Sequence, residues 1–556
     1  MLARYGVRPE AEEDLARIMD GTFLTEHYLE LARDLDVLEP KAPEDVYKSH
    51  LEKRSSSSSN VNSARANLAS TFVNALMNLG FGADKLMLTE GNKWLYKNKD
   101  HGMMSAAASI GAILAWDVDG GLPQIDKFLY STDNNIKAGA LLGVGLLNCG
   151  VRNECDPAVA LLPEYVEGTH PAHIRMGAVL GLGLAYAGTK KEEVLELLMP
   201  VVADVDTPLD VCAVAALSLG LTYCSSCHED IAQTLMAALM ERPQETLNKE
   251  AMTRLICVGI GLLYLGKQQE VEVALELAKA VEGPLGSYTT LTLETCAYAG
   301  TGNVLKVQRL LGLAGEHASK DDDDDAPADG AAPGSSGSGG GAAAAAAAGG
   351  GGSSATGAGK DGAKDAKDGA KDGAKDGKDG AKDGPKLDAQ AVAVLGVALV
   401  AGGEDLGVEM ATRVFFHLMQ YGDPPVRRAV PLGLALLAVS SPMKTTVVDG
   451  ISKFTHDPDQ ETAISAIVAM GLIAGGTNNS RVAASLRSLA SYYAKEPGVL
   501  FAVRLAQGLV HAGKGLVTLS PYHPDRSLPH SVTASPPTRA HCALPPRTPT
   551  PSRSRR

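Results

Sequence analysis

Several stretches of this sequence place residue types at spacings that could do chemistry. Gly261-Leu-Leu-Tyr-Leu-Gly-Lys-Gln268 and Gly508-Leu-Val-His-Ala-Gly-Lys-Gly515 each set two glycines before a lysine, the outline of a loop that cradles phosphate. Cys224-Ser-Ser-Cys-His228 spells the pattern that attaches a c-type haem, and its two thiols could also form half of a zinc site. Gly143-x-Gly145 and Gly181-x-Gly183 share the opening of a dinucleotide fingerprint. Asp117-Val-Asp-Gly120 has the residue types of a calcium loop. Glu229–Glu241 spaces carboxylates along a helix, where they could meet a basic partner.

Context argues against all but the last. Both phosphate-loop outlines lack the Ser or Thr that would hold Mg²⁺, and neither follows a strand pattern. Their apolar interiors read as helix, with Gly ending the helix and Lys at its negative end. The Cys224–His228 stretch has no second CxxC at zinc spacing, and haem attachment needs export. The Gly-x-Gly pairs fall in mid-helix rather than at a strand-to-helix turn, and the Asp117 stretch is too short for a calcium loop. The histidines and carboxylates show no nucleophile, base and orienting group together. The expectation is a protein without cofactor, metal or catalytic centre.

What remains on Glu229–Glu241 is an acidic outer face, which charge pattern alone reads as an ordinary solvated helix face before a binding face. At helical spacing Ile231, Leu235 and Ala238 turn to the core, while Asp230, Gln233, Ala237 and Glu241 share the outer face. On the binding reading, two carboxylates flanking small residues make a shallow acidic dock for a basic, apolar patch.

The elements that must hold this face follow from a repeat. Ile136-Lys-Ala-Gly-Ala-Leu-Leu-Gly-Val-Gly-Leu-Leu-Asn-Cys-Gly150 recurs as Ile174-Arg-Met-Gly-Ala-Val-Leu-Gly-Leu-Gly-Leu-Ala-Tyr-Ala-Gly188, offset by 38 residues. A constant step of this size marks stacked helical hairpins. Each copy is apolar on all sides, so its helix must be buried, and its glycines admit close neighbours. Further copies are Ser105–Trp116, Val211–Thr222, Leu255–Gly266, Leu291–Gly300, and segments beginning at Ala391, Ala429, Ala463 and Phe501. The fold class is therefore all-α, an α-solenoid of helical hairpins.

Composition agrees. Hydrophobic residues make up 45% and aromatics only 4%, so the core is built of Ala, Gly, Leu and Val, which suits close-packed helix pairs better than a β-sandwich. A net charge of −14 argues against nucleic acid as the main partner. Eight scattered cysteines and a charged start from Met1 to Asp20 point to a reducing, intracellular compartment. The apolar runs are too short to cross a bilayer.

Along the chain, residues 1–54 read as a partial helical N-terminal region, 55–62 as a serine-rich linker, and 63–100 as helix plus a polar, aromatic junction. In the third of these regions Ser63 caps a helix reaching about Leu79. Repeats fill 101–317 and 388–523. Between them, residues 318–387 hold Asp321–Asp325, Gly/Ser and Ala342–Ala348 runs and Lys-Asp-Gly units, which bury nothing and read as a disordered insertion within one array. Residues 524–556 read as a disordered Pro/Ser/Arg-rich tail.

The repeats resemble proteasome/cyclosome repeats, found in the two largest regulatory subunits of the proteasome. The resemblance is carried by Gly91-Asn-Lys-Trp-Leu-Tyr-Lys-Asn-Lys-Asp-His-Gly102, Trp116-Asp-Val-Asp-Gly-Gly121, Gly150-Val-Arg-Asn-Glu-Cys-Asp-Pro157, Ala297-Tyr-Ala-Gly-Thr-Gly-Asn-Val-Leu-Lys-Val-Gln308 and Gly476-Thr-Asn-Asn479. It spans about Leu24 to Arg526; Met1 to about Arg17 falls outside it, and the tail looks like a different reading of the gene. It implies a toroid of two concentric helix rings without catalytic activity, in the cytoplasm and nucleus. Such a subunit sits on the proteasomal ATPase ring among other regulatory-particle subunits. It docks ubiquitin, shuttle proteins with ubiquitin-like domains, and a deubiquitinase. The family's ubiquitin-binding outer helix corresponds to Cys227–Glu241. Asp230 and Glu241 match its acidic positions, and Ala237 stands where the family's intervening acidic position varies. A second dock is implied near Gly121–Tyr130, with Asp126 as a candidate. The alternative is a helical-repeat scaffold of another large assembly, such as the anaphase-promoting complex.

Overall fold

The computed structural model describes residues 20–48, 63–88, 93–153, 155–315, 386–441 and 445–522. The serine linker, the insertion up to residue 385, the tail and residues 1–19 lie outside the described residues. Among the described residues the regular elements are helices, twenty of them eight residues or longer. They are α1 (Leu24–Asp34), α2 (Ser63–Met77), α3 (His101–Ile113), α4 (Val118–Leu129), α5 (Asn134–Leu147), α6 (Ala172–Ala185), α7 (Glu192–Ala203), α8 (Leu209–Thr222), α9 (Glu229–Glu241) and α10 (Thr253–Leu263). Then come α11 (Glu272–Lys279), α12 (Pro284–Ala297), α13 (Val304–Gly315), α14 (Lys386–Ala401), α15 (Asp405–Tyr421), α16 (Pro424–Leu437), α17 (Thr445–Ser452), α18 (Gln460–Ile473), α19 (Ser480–Tyr492) and α20 (Pro497–Val510).

Every predicted repeat copy is one of these helices. They pack side by side in the order α3, α5, α6, α8, α10, α12, α14, α16, α18, α20. Their composition explains why. In α5 the buried set is Ile136, Ala138, Gly139, Ala140, Leu141, Gly143, Val144, Gly145 and Leu147, which leaves almost no solvent face. Glycines set the spacing. A Cβ on Gly111 would overlap the backbone of Gly143, one on Gly145 the backbone of Gly181, and one on Gly220 the backbone of Gly259. Helices this close exchange dispersion contacts along their backbones, a geometry any larger side chain would hold open.

The ends of these helices are tied by one recurring hydrogen bond. After most of these helices the chain turns through a left-handed residue, for example Gly188 (φ 71°), Gly266 (φ 72°) and Gly300 (φ 71°). That conformation aims the amide at the last turn of the next inner helix. Gly188 donates to Leu221 O at 2.9 Å, Gly266 to Cys296 O at 3.0 Å, Gly300 to Leu399 O at 2.8 Å and Gly476 to Leu509 O at 2.9 Å. Carbonyls that a helix end leaves without a partner are thus satisfied by the neighbouring repeat. Trp116 holds the same conformation without being glycine (φ 76°) and donates to Leu147 O.

α2 is an eleventh member that the repeat pattern does not mark. It begins at Ser63, which is the first helical residue rather than a cap, and ends at Met77, two residues short of the expected Leu79. It packs on α3 on one side and on α20 on the other, so the inner contacts run in a cycle. Its buried Asn74 donates to Asp84 at 2.7 Å and Asn78 donates to Asn74 at 3.0 Å, so its polar positions are internally bonded. Across the α2–α20 contact Phe72 meets Phe501 edge-on at 6.3 Å, and on α20 Arg504 also lies 4.0 Å over the ring of Tyr47 from the segment before α2.

An arm built on α1 covers this contact. Tyr28 is fully buried, edge-on to Phe81 and Trp116 with centroids 5.2 Å away in each case. Lys514 is 5% exposed, and its ammonium donates to the carbonyls of Val37, Leu38 and Glu39 at 3.0, 3.1 and 2.9 Å. The remaining helices, α4, α7, α9, α11, α13, α15, α17 and α19, lie against the inner set and carry the amphipathic sequences.

Candidate functional site: an acidic outer helix

α9 starts after the turn Cys224–His228 and packs against α7, α10 and α11. The turn needs Ser225 and Cys227 at φ 59° and 56°. Ser225 and Cys227 donate their amides to Leu262 and Leu263 O at 2.9 and 3.1 Å, the same inter-repeat tie as elsewhere. Glu229 and Asp230 occupy the first turn, where carboxylates favour the helix dipole. The helix ends because Pro243 follows Arg242. Arg242 is buried and donates to Thr207 O at 2.9 Å and Asp204 O at 2.8 Å, fastening the end of α9 to the segment after α7.

The faces divide as the spacing predicts. Ile231, Leu235 and Ala238 are buried, with Ala232, Met236 and Leu239. Asp230, Gln233 and Glu241 are exposed, and Ala237 is half-buried between them. Eleven residues of helix separate the two carboxylates by about 16 Å on nearly the same side. Neither makes an ion pair among the described residues. Thr234 Oγ1 is spent on the Asp230 carbonyl at 2.8 Å. The two carboxylates are therefore acceptors whose charge is available to a partner, with Gln233 between them able both to donate and to accept.

Sequence reasoning missed three contributors. Met240 is 41% exposed at the carboxyl end of the stripe, and the same helical spacing that selected Gln233 could have found it. Exposed Glu192, Glu193 and Glu196 on α7, and Glu272, Val273, Glu276 and Leu277 on α11, extend the surface, but only tertiary packing brings them beside α9. Val273 is 75% exposed, so the surface mixes apolar and acidic groups.

The other chemical look-alikes resolve into structure. Cys224 is buried and Cys227 half-buried, and neither is in a disulfide. Burial, and then the Glu270 carboxylate that accepts its S–H at 3.0 Å, push the Cys227 thiol up to about 12, so it stays protonated and unreactive. Lys267 pairs with Glu270, and Lys514 is sealed against backbone carbonyls. Gly143, Gly145, Gly181 and Gly183 lie within α5 and α6. Asp117 accepts the amide of Gly120 at 3.1 Å and caps α4. Among the described residues no cluster of three His, Cys, Asp or Glu side chains could hold a metal. On α4 Asp126 is half-buried, and Tyr130, just past its end, is 78% exposed.

Among the described residues no helix is long and apolar enough to cross a membrane.

Residues 1–52 match the RPN1 N-terminal domain family, and residues 177–209 match the proteasome/cyclosome repeat. The first match overturns the expectation that Met1 to about Arg17 lies outside the resemblance. The chain is 45% identical over 547 residues to the 26S proteasome non-ATPase regulatory subunit 2 homolog A of Arabidopsis thaliana, covering 95% of this chain and 54% of that protein. It is 40% identical over 546 residues to the 26S proteasome regulatory subunit rpn-1 of Neurospora crassa (96% and 54%). It is 41% identical over 533 residues to the 26S proteasome regulatory subunit rpn1 of Schizosaccharomyces pombe (95% and 53%). The chain spans about half the length of the curated relatives it matches.

Proposed function

We propose that this chain, a proteasome/cyclosome-repeat protein that resembles the 26S proteasome non-ATPase regulatory subunit 2, is a non-catalytic regulatory subunit of the 26S proteasome base. The observation that carries the reading is identity of 40% or more, over nearly the whole chain, to proteins named as proteasome regulatory subunits. In this role the inner helices form a toroid, a reading supported by the cycle of contacts that returns from α20 to α2. The toroid is a scaffold on the ATPase ring, in cytoplasm and nucleus. Its outer helices receive ubiquitin, ubiquitin-like-domain shuttle proteins and a deubiquitinase during ATP-dependent degradation of ubiquitinated proteins.

Within that scaffold Asp230 and Glu241 on α9 are the ubiquitin-binding residues. Two solvated carboxylates without internal partners, with Ala237 and Met240 between and beside them, suit a partner surface that is apolar with a basic rim. A second dock, for the deubiquitinase's ubiquitin-like domain, lies near Gly121–Tyr130 with Asp126 on α4 as its candidate residue. Purification of the tagged full chain from cells tests the assignment. Recovery with proteasomal ATPases is expected; recovery with anaphase-promoting-complex subunits and without those ATPases would overturn it.

A further inference from the structure

A cavity of about 590 Å³ opens where the N-terminal arm meets the last repeat. Lys41, Lys48 and Lys85 line it from the arm and the loop after α2, and Arg487, His511 and Lys514 from α19 and the segment after α20. Only Glu39 and Asp45 line it with negative charge. Glu39 is paired to Lys85 at 3.0 Å, and Asp45 accepts the amide of Ala42 at 2.9 Å. Lys514 is committed to three carbonyls of the arm. Lys41, Lys48 and Arg487 make no ion pair among the described residues. An acidic chain of net charge −14 thus gathers a positive surplus in one concavity, from both ends of the described sequence.

Like charges brought together in a cleft repel unless an anion joins them, and low-dielectric walls concentrate their field. The groups at the floor register that field. Burial first, then Lys41, Arg487 and Lys48, hold His511 down to about 4. Burial first, then Lys41, lower Lys514 to about 8. His511 is oriented by Asn478 at 2.7 Å, and Asn478 also donates to Lys514 O at 2.7 Å, so the floor is built rather than loose.

We infer that this cavity binds a compact organic polyphosphate, whose phosphate groups bridge Lys41 and Lys48 of the arm to Arg487 of α19. A single phosphate fills the bonding capacity of one or two cations, whereas three unpaired cations around one concavity match several phosphates on a small frame. The cations do not form the extended track that a nucleic-acid backbone requires. Because the ligand would join arm to last repeat, it would also stabilise their contact by mass action.

Titration calorimetry on the full chain tests this, with inositol hexakisphosphate as the free probe. Vesicles carrying phosphatidylinositol bisphosphate form a second arm, which separates a lipid headgroup from a soluble source. Expected is saturable binding in at least one arm that weakens tenfold or more in the K48E/R487E chain and as salt rises. Lys279→Glu, on the exposed outer helix α11, should change it less than twofold. Should the reversals disturb folding, the neutral pair K48Q/R487Q must still weaken binding at least fivefold with an unchanged circular dichroism spectrum. Absence of saturable binding in both arms, or binding that these substitutions leave within twofold, overturns the inference.

Discussion

Replacing Gly145 by alanine separates two opposing effects that the structure ranks. Gly145 sits inside α5, and in a free helix Gly→Ala stabilises by about 1 kcal/mol because the unfolded backbone loses freedom. Here the new methyl would overlap Cα, C and O of Gly181, all backbone atoms that no rotamer change can move. α5 and α6 must then separate, and overpacking of this kind costs about 1–3 kcal/mol, more where backbone shifts are needed. Because backbone must move, the cost lies at the upper end of that range and outweighs the methyl's gain, leaving a net loss of about 2 kcal/mol. Gly312 in α13 supplies the contrast, since a Cβ there meets nothing within 4 Å. Gly312→Ala should stabilise by about 0.5–1 kcal/mol. Thermal melts of the full chain followed by circular dichroism compare the two. Gly145→Ala should lower Tm and Gly312→Ala should hold or raise it, with small shifts because unfolding entropy grows with chain length. A Tm raised equally by both would refute the claim that glycines set the helix spacing.

Other expectations follow from the closure. Lys514→Met removes an ammonium that bonds Val37, Leu38 and Glu39; it should destabilise by about 2 kcal/mol, the range for hydrogen bonds to charged groups. Hydrogen exchange should then quicken in residues 20–48 while α9 keeps its protection, and uniform loss across both would count against a local tie. His511 titrates near 4 in the folded chain against 6.5 for the free side chain, so the unfolded state binds the extra proton between those values. Stability contributed by the neutral ring is therefore present above about pH 6.5 and falls as pH drops toward 4, by about 1–2 kcal/mol after allowance for partial exposure. In denaturation curves from pH 7 to 4.5, His511→Gln should flatten that part of the decline; an unchanged slope would remove His511 as its source.

Much of the inner architecture was legible because its helices are buried on all sides. That condition writes a continuous apolar run with fixed glycines, as in Ile136–Gly150, and no other constraint competes with it. α2 escaped the pattern because it pairs buried asparagines with Asp84, so its burial leaves polar letters in the sequence. Lys514 was readable only as a cation at a helix end. Its actual partners precede it by more than 470 residues, and local spacing carries no trace of them. On α9, period 3.6 separated Ile231, Leu235 and Ala238 from Asp230 and Glu241. It could not supply Arg242's hold on Thr207 or the glutamates of α7 and α11, which depend on how the hairpins stack.

The docking role of α9 is tested most directly by titrating the full chain into ¹⁵N-labelled ubiquitin and following amide shifts and line widths. The account expects saturable perturbation of one ubiquitin face. It also expects about tenfold weaker binding for the D230K/E241K chain, since reversing two solvated charges at a rim changes affinity by roughly 1–2 kcal/mol. Perturbations of equal strength with the native and the reversed chain would contradict the assignment of Asp230 and Glu241.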